Sequence, residues 1–162
     1  MKVASLRIFL ATQRLEALDA EGTVMLSYPV STAARGAGER WGSLQTPRGR
    51  HIVRAKIGAG LPPCAVFSAR RPTGEIWTPE LDACYPDRDW ILTRILWLSG
   101  CEPGFNRLGE VDTMRRYIYI HGCGDSAIMG EPHSHGCVRM RNRDVLELFE
   151  AVPLYCPVEI LD

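Results

Sequence analysis

"YIYIHGCGDSAIMGEPHSHGCVRM", residues 117–140, places three histidines, two cysteines and four glycines behind a short alternating apolar run. The run reads as a strand, with His121 directly after it and Gly122 and Gly124 leaving the backbone free to turn at the strand end. Cys137 comes later, after Ser134, His135 and Gly136 and before Val138. Three chemistries compete for these side chains: a metal cage, a redox pair, and a nucleophile with its base.

Working outward, the rest of the chain reads mainly as strands. "SLRIFLATQRLEAL" from Ser5 alternates apolar and polar positions, "DAEG" from Asp19 is a turn, and "TVMLSYPVS" from Thr23 resumes the alternation, so the two runs form a hairpin. "STAARGAGERWGSLQTPRGR" from Ser31 is rich in Gly and small polar residues and reads as a long surface connection. Further strands are expected at "HIVRAKIG", "PCAVFSARR", "DWILTRILWLSG", "RRYIYIHG" and "PVEILD". One helix stands out, "NRDVLELFEAV", with Asn142 as N-cap, Asp144 in the first turn, an apolar face of Val145, Leu146, Leu148 and Phe149, and a stop at Pro153. The sequence therefore predicts a mainly β chain of one domain, 1–162, with one notable helix after Cys137.

Composition narrows the function. Acidic and basic residues are equal in number, 19 each, so no global field draws the chain to nucleic acid or an anionic membrane. No stretch approaches the roughly 18 apolar residues of a membrane span. Lys2 precedes a partly apolar run, but Arg7 interrupts it and Thr12, Gln13 and Arg14 follow, which reads as a strand and not as an export signal. The six cysteines are scattered and do not suggest a disulfide scaffold, so a reducing cytoplasm is expected, with an oxidising periplasm as the alternative.

A metal cage of His121, Cys123, His133, His135 and Cys137 has suitable atoms, but no Cys-x-x-Cys or His-Glu-x-x-His spacing occurs, and no metal is expected. A Cys123–Cys137 redox pair is the weaker rival. The nucleophile reading fits best. A thiol with a pKa of about 8.5 is only roughly 3% ionised at neutral pH, so Cys137 needs a base, and His121 is the candidate. A backbone carbonyl in the glycine-rich turn can hold the second ring N–H of His121. Small residues near Cys137, Gly136 above all, would let backbone N–H groups approach an oxyanion. His133 reads as a solvated loop residue, and the four tryptophans, Trp41, Trp77, Trp90 and Trp97, as packing groups.

"HG" at a strand end, followed at this distance by "SHGCVRM", resembles the signature of the L,D-transpeptidase catalytic domain family, the YkuD-like cysteine acyltransferases. "RIFLATQRLEALDAEGTVMLSYPVSTA", "TPRGRHIVRAKIG" and "RMRNRDVLELFE" are similar to that family's opening hairpin, its next strand and the helix after its nucleophile. The resemblance implies a β-sandwich-like fold and no cofactor. It implies Cys137 as nucleophile, His121 as base and the Gly122 carbonyl as the group orienting the base. It also places His135, Gly136 and Cys137 around the oxyanion hole, with Arg139 and Ser134 beside the substrate. The implied partner is a peptidoglycan stem tetrapeptide or soluble muropeptide, cut between diaminopimelate and terminal D-alanine through a thioester. Water as acceptor makes the chain an L,D-carboxypeptidase of peptidoglycan recycling, the expected role. An amine acceptor makes it a wall cross-linking transpeptidase, and a muropeptide-binding protein without turnover is the remaining alternative. Residues 70–90, "RRPTGEIWTPELDACYPDRDW", are longer than a minimal domain needs and read as a lid or substrate wall.

Overall fold

A computed structural model describes residues 2–162. The described chain is mainly β, as the alternation predicts, and among these residues no helix is long and apolar enough to cross a membrane. "SLRIFLATQRLEAL", read as one strand, is itself a hairpin: β1 (Ser5–Phe9) and β2 (Arg14–Leu18) pair antiparallel. The reversal has no Gly or Pro. Gln13 makes it, at φ 55°, with its side chain donating to the Leu10 carbonyl (2.7 Å) and the Thr32 hydroxyl (2.6 Å). The expected turn at Asp19 leads into β3 (Val24–Pro29), and its carboxylate accepts from the amides of Glu21 and Thr23.

The remaining strands are β4 (Gly49–Ile57), β5 (Ala65–Ser68), β6 (Arg71–Ile76), β7 (Ile91–Gly100), β8 (Tyr119–Gly122), β9 (Val138–Met140) and β10 (Pro157–Leu161). They form one ten-stranded sheet in the order β3-β2-β1-β10-β4-β7-β5-β6, with β8 paired to β7 and β9 to β8. Ser31, just past β3, exchanges both backbone hydrogen bonds with Arg139 in β9, each 2.9 Å. The path β3-β2-β1-β10-β4-β7-β8-β9 therefore closes on itself. That closure gives the sandwich-like enclosure the chain needs to bury Leu6, Ile8, Leu15, Leu96, Leu98, Ile120, Val138 and Met140 in one core.

Two helices complete the fold. In α1 (Pro79–Cys84) the Thr78 hydroxyl accepts from the Leu81 amide (3.1 Å), a cap the sequence reading passed over. In α2 (Asn142–Ala151), the expected helix, Val145, Leu148 and Phe149 face the core. Asn142 is not its N-cap; Arg141 holds that position without a side-chain bond. Asn142 lies within the first turn and is buried, accepting from the Thr93 hydroxyl (2.5 Å) and donating to the Cys123 carbonyl (2.8 Å). The strand expected from Arg115 begins only at Tyr119, because residues 113–117 turn first. Residues 31–48 are not merely a surface connection, since Ser31, Thr32, Ala33 and Thr46 are buried. Trp77 and Trp90 pack in a satellite core with Val66 and Leu92, whereas Trp41 is exposed.

His51 in β4 is fully enclosed, with Nδ1 donating to the Gly49 carbonyl (3.0 Å) and Nε2 accepting from the Thr113 hydroxyl (2.9 Å). Burial pushes its pKa from 6.5 down to about 4, against the opposing pull of the Gly49 carbonyl, Glu102 and Glu39. The unfolded chain therefore binds the extra proton first, and stability present above 6.5 is lost as pH falls toward 4. The loss should reach about 3 kcal/mol. Denaturant unfolding of wild type and His51→Gln across that window checks it: the variant should show a shallower pH dependence, and equal slopes would defeat the assignment.

Candidate active site

β8 and β9 run parallel with Ile120 opposite Val138 and His121 opposite Arg139. His121 ends up buried on β8, while Cys137 enters β9 half-buried. Both line one cavity of about 250 Å3, together with Arg70, Asp89, Arg116, Tyr117, Tyr119, Ser134, His135 and Arg139. The His121 Nδ1–H donates to the Gly122 carbonyl at 2.6 Å. That bond fixes the tautomer and leaves Nε2 as the proton acceptor. Gly122 is needed for space more than for turning: a Cβ there would lie 2.3 Å from Asn142 Oδ1 and 2.8 Å from the Leu92 carbonyl.

The thiol has partners the sequence did not disclose. Cys137 Sγ accepts from the Tyr119 amide and donates to the Tyr117 carbonyl, both at 3.3 Å. Tyr117 sits at φ 57°, a left-handed conformation that is strained for an aromatic residue, at the entry to β8. Burial pushes the Cys137 thiol up to about 12, with Asp89 adding to the rise and the Tyr119 amide, Arg139 and Arg116 opposing it. Burial likewise holds His121 below its ordinary 6.5, against the Gly122 carbonyl and Asp89. Both shifts, and the S–H donated to the Tyr117 carbonyl, favour a thiol beside a neutral imidazole.

The loop before Cys137 is held from inside. Ser134, placed by the sequence reading beside the substrate, is buried; its hydroxyl donates to the Cys137 carbonyl (2.5 Å) and accepts from the Gly136 amide (3.2 Å). Those bonds give Ser134 a supporting place in the loop and commit the Gly136 N–H, so Gly136 is not a free oxyanion donor. Gly136 takes φ 133°, and a Cβ would crowd Ile118 at 3.1 Å. Its carbonyl accepts from the buried Thr46 hydroxyl at 2.9 Å, which ties residues 31–48 to the loop before Cys137. His135 is exposed, with Nδ1 3.7 Å from Asp89. His133 is exposed beside Glu131, away from the cavity lining, as a solvated loop residue.

Arg139 reaches the cavity but is already paired, with Nη2 3.0 Å from Asp89 Oδ1. Asp89, in the 70–90 segment, lines the cavity. Arg70, which opens the same segment, and Arg116 also line the cavity; as individual residues neither belongs to a motif. A larger cavity, about 600 Å3, is lined by Cys64, Cys123, Asp125 and Asn142 but by no histidine, and so offers its thiols no base. Among the described residues no cluster of three His, Cys, Asp or Glu side chains is placed to hold a metal ion.

The chain matches the L,D-transpeptidase catalytic domain (YkuD) over residues 4–160. It is similar to a probable L,D-transpeptidase, YbiS, of Escherichia coli K12, with 45% identity over 47 residues, 29% of this chain and 15% of the relative. It is also similar to a putative L,D-transpeptidase, YkuD, of Bacillus licheniformis, with 46% identity over 39 residues, 24% of each chain. Among solved structures, an L,D-transpeptidase of Xylanimonas cellulosilytica has a TM-score of 0.56 at 21% identity, covering 98% of this chain and 60% of that one. L,D-transpeptidase 3 of Mycobacterium tuberculosis has a TM-score of 0.59 at 15% identity, again over 98% and 60%. The likeness to these structures is one of fold, and the chain spans only about 60% of their length.

The resting protonation state is open to measurement. The ultraviolet thiolate absorbance of wild type minus that of Cys137→Ala should stay flat between roughly pH 5 and pH 9. A step centred near neutral pH would show a preformed thiolate–imidazolium pair and overturn the neutral ground state.

Proposed function

We propose, from the premise that this chain belongs to the L,D-transpeptidase catalytic domain family, that it is an L,D-carboxypeptidase acting on soluble peptidoglycan tetrapeptides. The observation that carries the reading is the placement of Cys137 and His121 on adjacent parallel strands in one cavity, with His121 Nδ1–H locked on the Gly122 carbonyl.

In the proposed reaction the Cys137 thiol leaves the Tyr117 carbonyl and passes its proton to His121 Nε2 as Sγ attacks the carbonyl carbon between diaminopimelate and D-alanine. The carbonyl oxygen becomes an oxyanion. With the Gly136 amide committed to Ser134, the amides of His135 and Cys137 are the donors this loop offers it. His121 then returns the proton to the leaving nitrogen, D-alanine departs, and a thioester remains on Cys137. Water, deprotonated by the same imidazole, hydrolyses the thioester to release the tripeptide and restore the thiol.

Two observations support water as acceptor. The cavity of about 250 Å3 lies below the usual range of about 300–1,000 Å3 for ligand pockets, and Asp89 paired with Arg139 walls one side of it. Such a cavity suits one peptide end and a water better than two stems. The six unpaired thiols, Cys137 among them, suit a reducing compartment, and we place the proposed reaction in the cytoplasm.

Incubation with a disaccharide tetrapeptide, followed by mass spectrometry, tests the reading. Wild type should release free D-alanine and tripeptide even with amine acceptors present. Cys137→Ala should lose acyl-enzyme formation altogether, and His121→Ala should slow turnover on the order of 10²-fold or more while keeping the fold. Dimeric cross-linked stems as the main product would make the protein a transpeptidase. Unchanged hydrolysis in either variant would refute the thioester mechanism, and binding without any turnover would make it a recognition protein.

A further inference from the structure

Three arginines line the cavity around Cys137 against a single acid, Asp89, so the site carries an excess of positive charge. The three are not equivalent. Arg139 is bonded to Asp89 and leans on the His133 carbonyl (3.4 Å). Arg116 is spent on the protein itself, donating to the carbonyls of Gly38 (3.2 Å) and Gln45 (2.5 Å) and to the Ser43 hydroxyl (3.2 Å). Arg70 has neither a carboxylate nor a carbonyl among the described residues. Its hydrogen bond runs from Nη1 to the Tyr119 hydroxyl at 3.0 Å, and its guanidinium lies over the rings of Trp97 (5.0 Å) and Tyr117 (4.7 Å). A guanidinium has five N–H donors in a rigid fork, and most of this one is uncommitted.

The position of Arg70 in the chain sharpens the point. Ala69 and Arg70 join β5 to β6 as a two-residue hairpin turn with φ 47° and 64°, a conformation that favours Asn and Gly. An arginine sits where glycine would relieve the backbone. Its side chain meets Tyr119, whose amide donates to Cys137 Sγ. Tyr119 thus touches both groups, its hydroxyl the guanidinium and its amide the thiol, and Arg70 and Cys137 line the same cavity.

We propose that Arg70 is the carboxylate anchor of this site: its fork takes a carboxylate of the donor peptide in a charge-assisted pair, while Tyr119, Trp97 and Tyr117 hold the guanidinium in place. The inference rests on the peptide-donor reading above; Arg139, expected beside the substrate, is already neutralised by Asp89, and Arg70 lies outside the nucleophile motif. The two residues that flank the scissile bond each carry one free carboxylate, that of the terminal D-residue and that of the diamino acid side chain; the anchor takes one of these two, and the chemistry of the pair is the same for both.

The test uses full-length protein carrying Cys137→Ala, so that peptide binds without being consumed, alone or combined with Arg70→Gly or Arg70→Lys. Each is titrated calorimetrically with the tetrapeptide, with its terminal amide, and with the analogue amidated at the diamino acid side chain. Arg70→Gly should weaken tetrapeptide binding roughly 10- to 100-fold, and Arg70→Lys should do so by less. For whichever amide lacks the anchored carboxylate, the substitution should make no difference, which identifies the carboxylate. The Arg70→Gly protein should melt at or above the parent temperature, because glycine suits the turn. Equal binding of all three peptides by parent and Arg70→Gly, or equal weakening for all three, would overturn the anchor. Failure of the parent to bind any of them, together with failure of wild type to cleave the tetrapeptide, would refute the peptide-donor reading and the anchor with it.

Discussion

Parallel strands cannot be joined by a tight turn; the chain must travel back along the whole pair before it can pair again. β8 and β9 are such a pair, and residues 123–137 are the crossover between them. The distance in sequence between His121 and Cys137 is thus a consequence of strand direction, and the register that sets Ile120 against Val138 removes it in space. One flank of the pair is β7, the other is the Ser31 bridge to Arg139. A slip of one residue along β9 would turn Val138 and Met140 out of the core and Arg139 into it, so burial of those side chains enforces the register that aligns the site.

The enclosure that fixes the register also decides the chemistry. Taking a thiol and an imidazole out of water disfavours both charged forms, which raises Cys137 to about 12 and lowers His121. The Tyr119 amide and the nearby guanidiniums of Arg139 and Arg116 offset part of that cost at sulfur. They do not overcome it, and Asp89 works against them. A thiolate formed only as it attacks needs no permanent charge in the cavity, and the Tyr117 carbonyl holds the S–H in the meantime. The surplus positive charge of the three arginines over Asp89 is then left without a thiolate to neutralise it.

Cys137 and His121 could be picked out as a candidate pair because a short motif carries them, and both line one cavity; the core-facing Val145, Leu148 and Phe149 of α2 were legible from their spacing. Alternation likewise disclosed most of the strands. What stayed hidden depends on geometry that composition does not encode. The β1–β2 reversal rests on Gln13, whose amide reaches residues in the chain after β3, so no local turn signature marks it. Arg70 is equally silent, since "SARR" has neither Asn nor Gly to announce a hairpin. Asn142 has the residue type of an N-cap, yet tertiary partners outcompete that local role. Ser134 and Gly136 were recognised as important, but only the loop's internal bonds show that they spend their polar groups on each other.

Asn142 links these strands of argument. β7 pairs with β5 at Ile91 and Leu92 and with β4 from Ile95 onward, while β8 faces it from Leu92 to Trp97 with an irregularity between Leu92 and Ile95. Thr93 lies there at φ 75°, a genuine outlier for a β-branched residue, and strain of that kind, about 1–3 kcal/mol, persists only where surroundings over-determine it. Its hydroxyl accepts from the Cys64 amide and donates to Asn142 Oδ1, while the Asn142 amide donates to the Cys123 carbonyl. Between these groups there is no room for a Cβ at position 122. The strained residue in β7, the buried amide of α2 and the glycine of β8 thus fix the backbone whose carbonyl holds His121 Nδ1–H, so the orientation of the imidazole is set from behind, by three residues that do not themselves line the cavity.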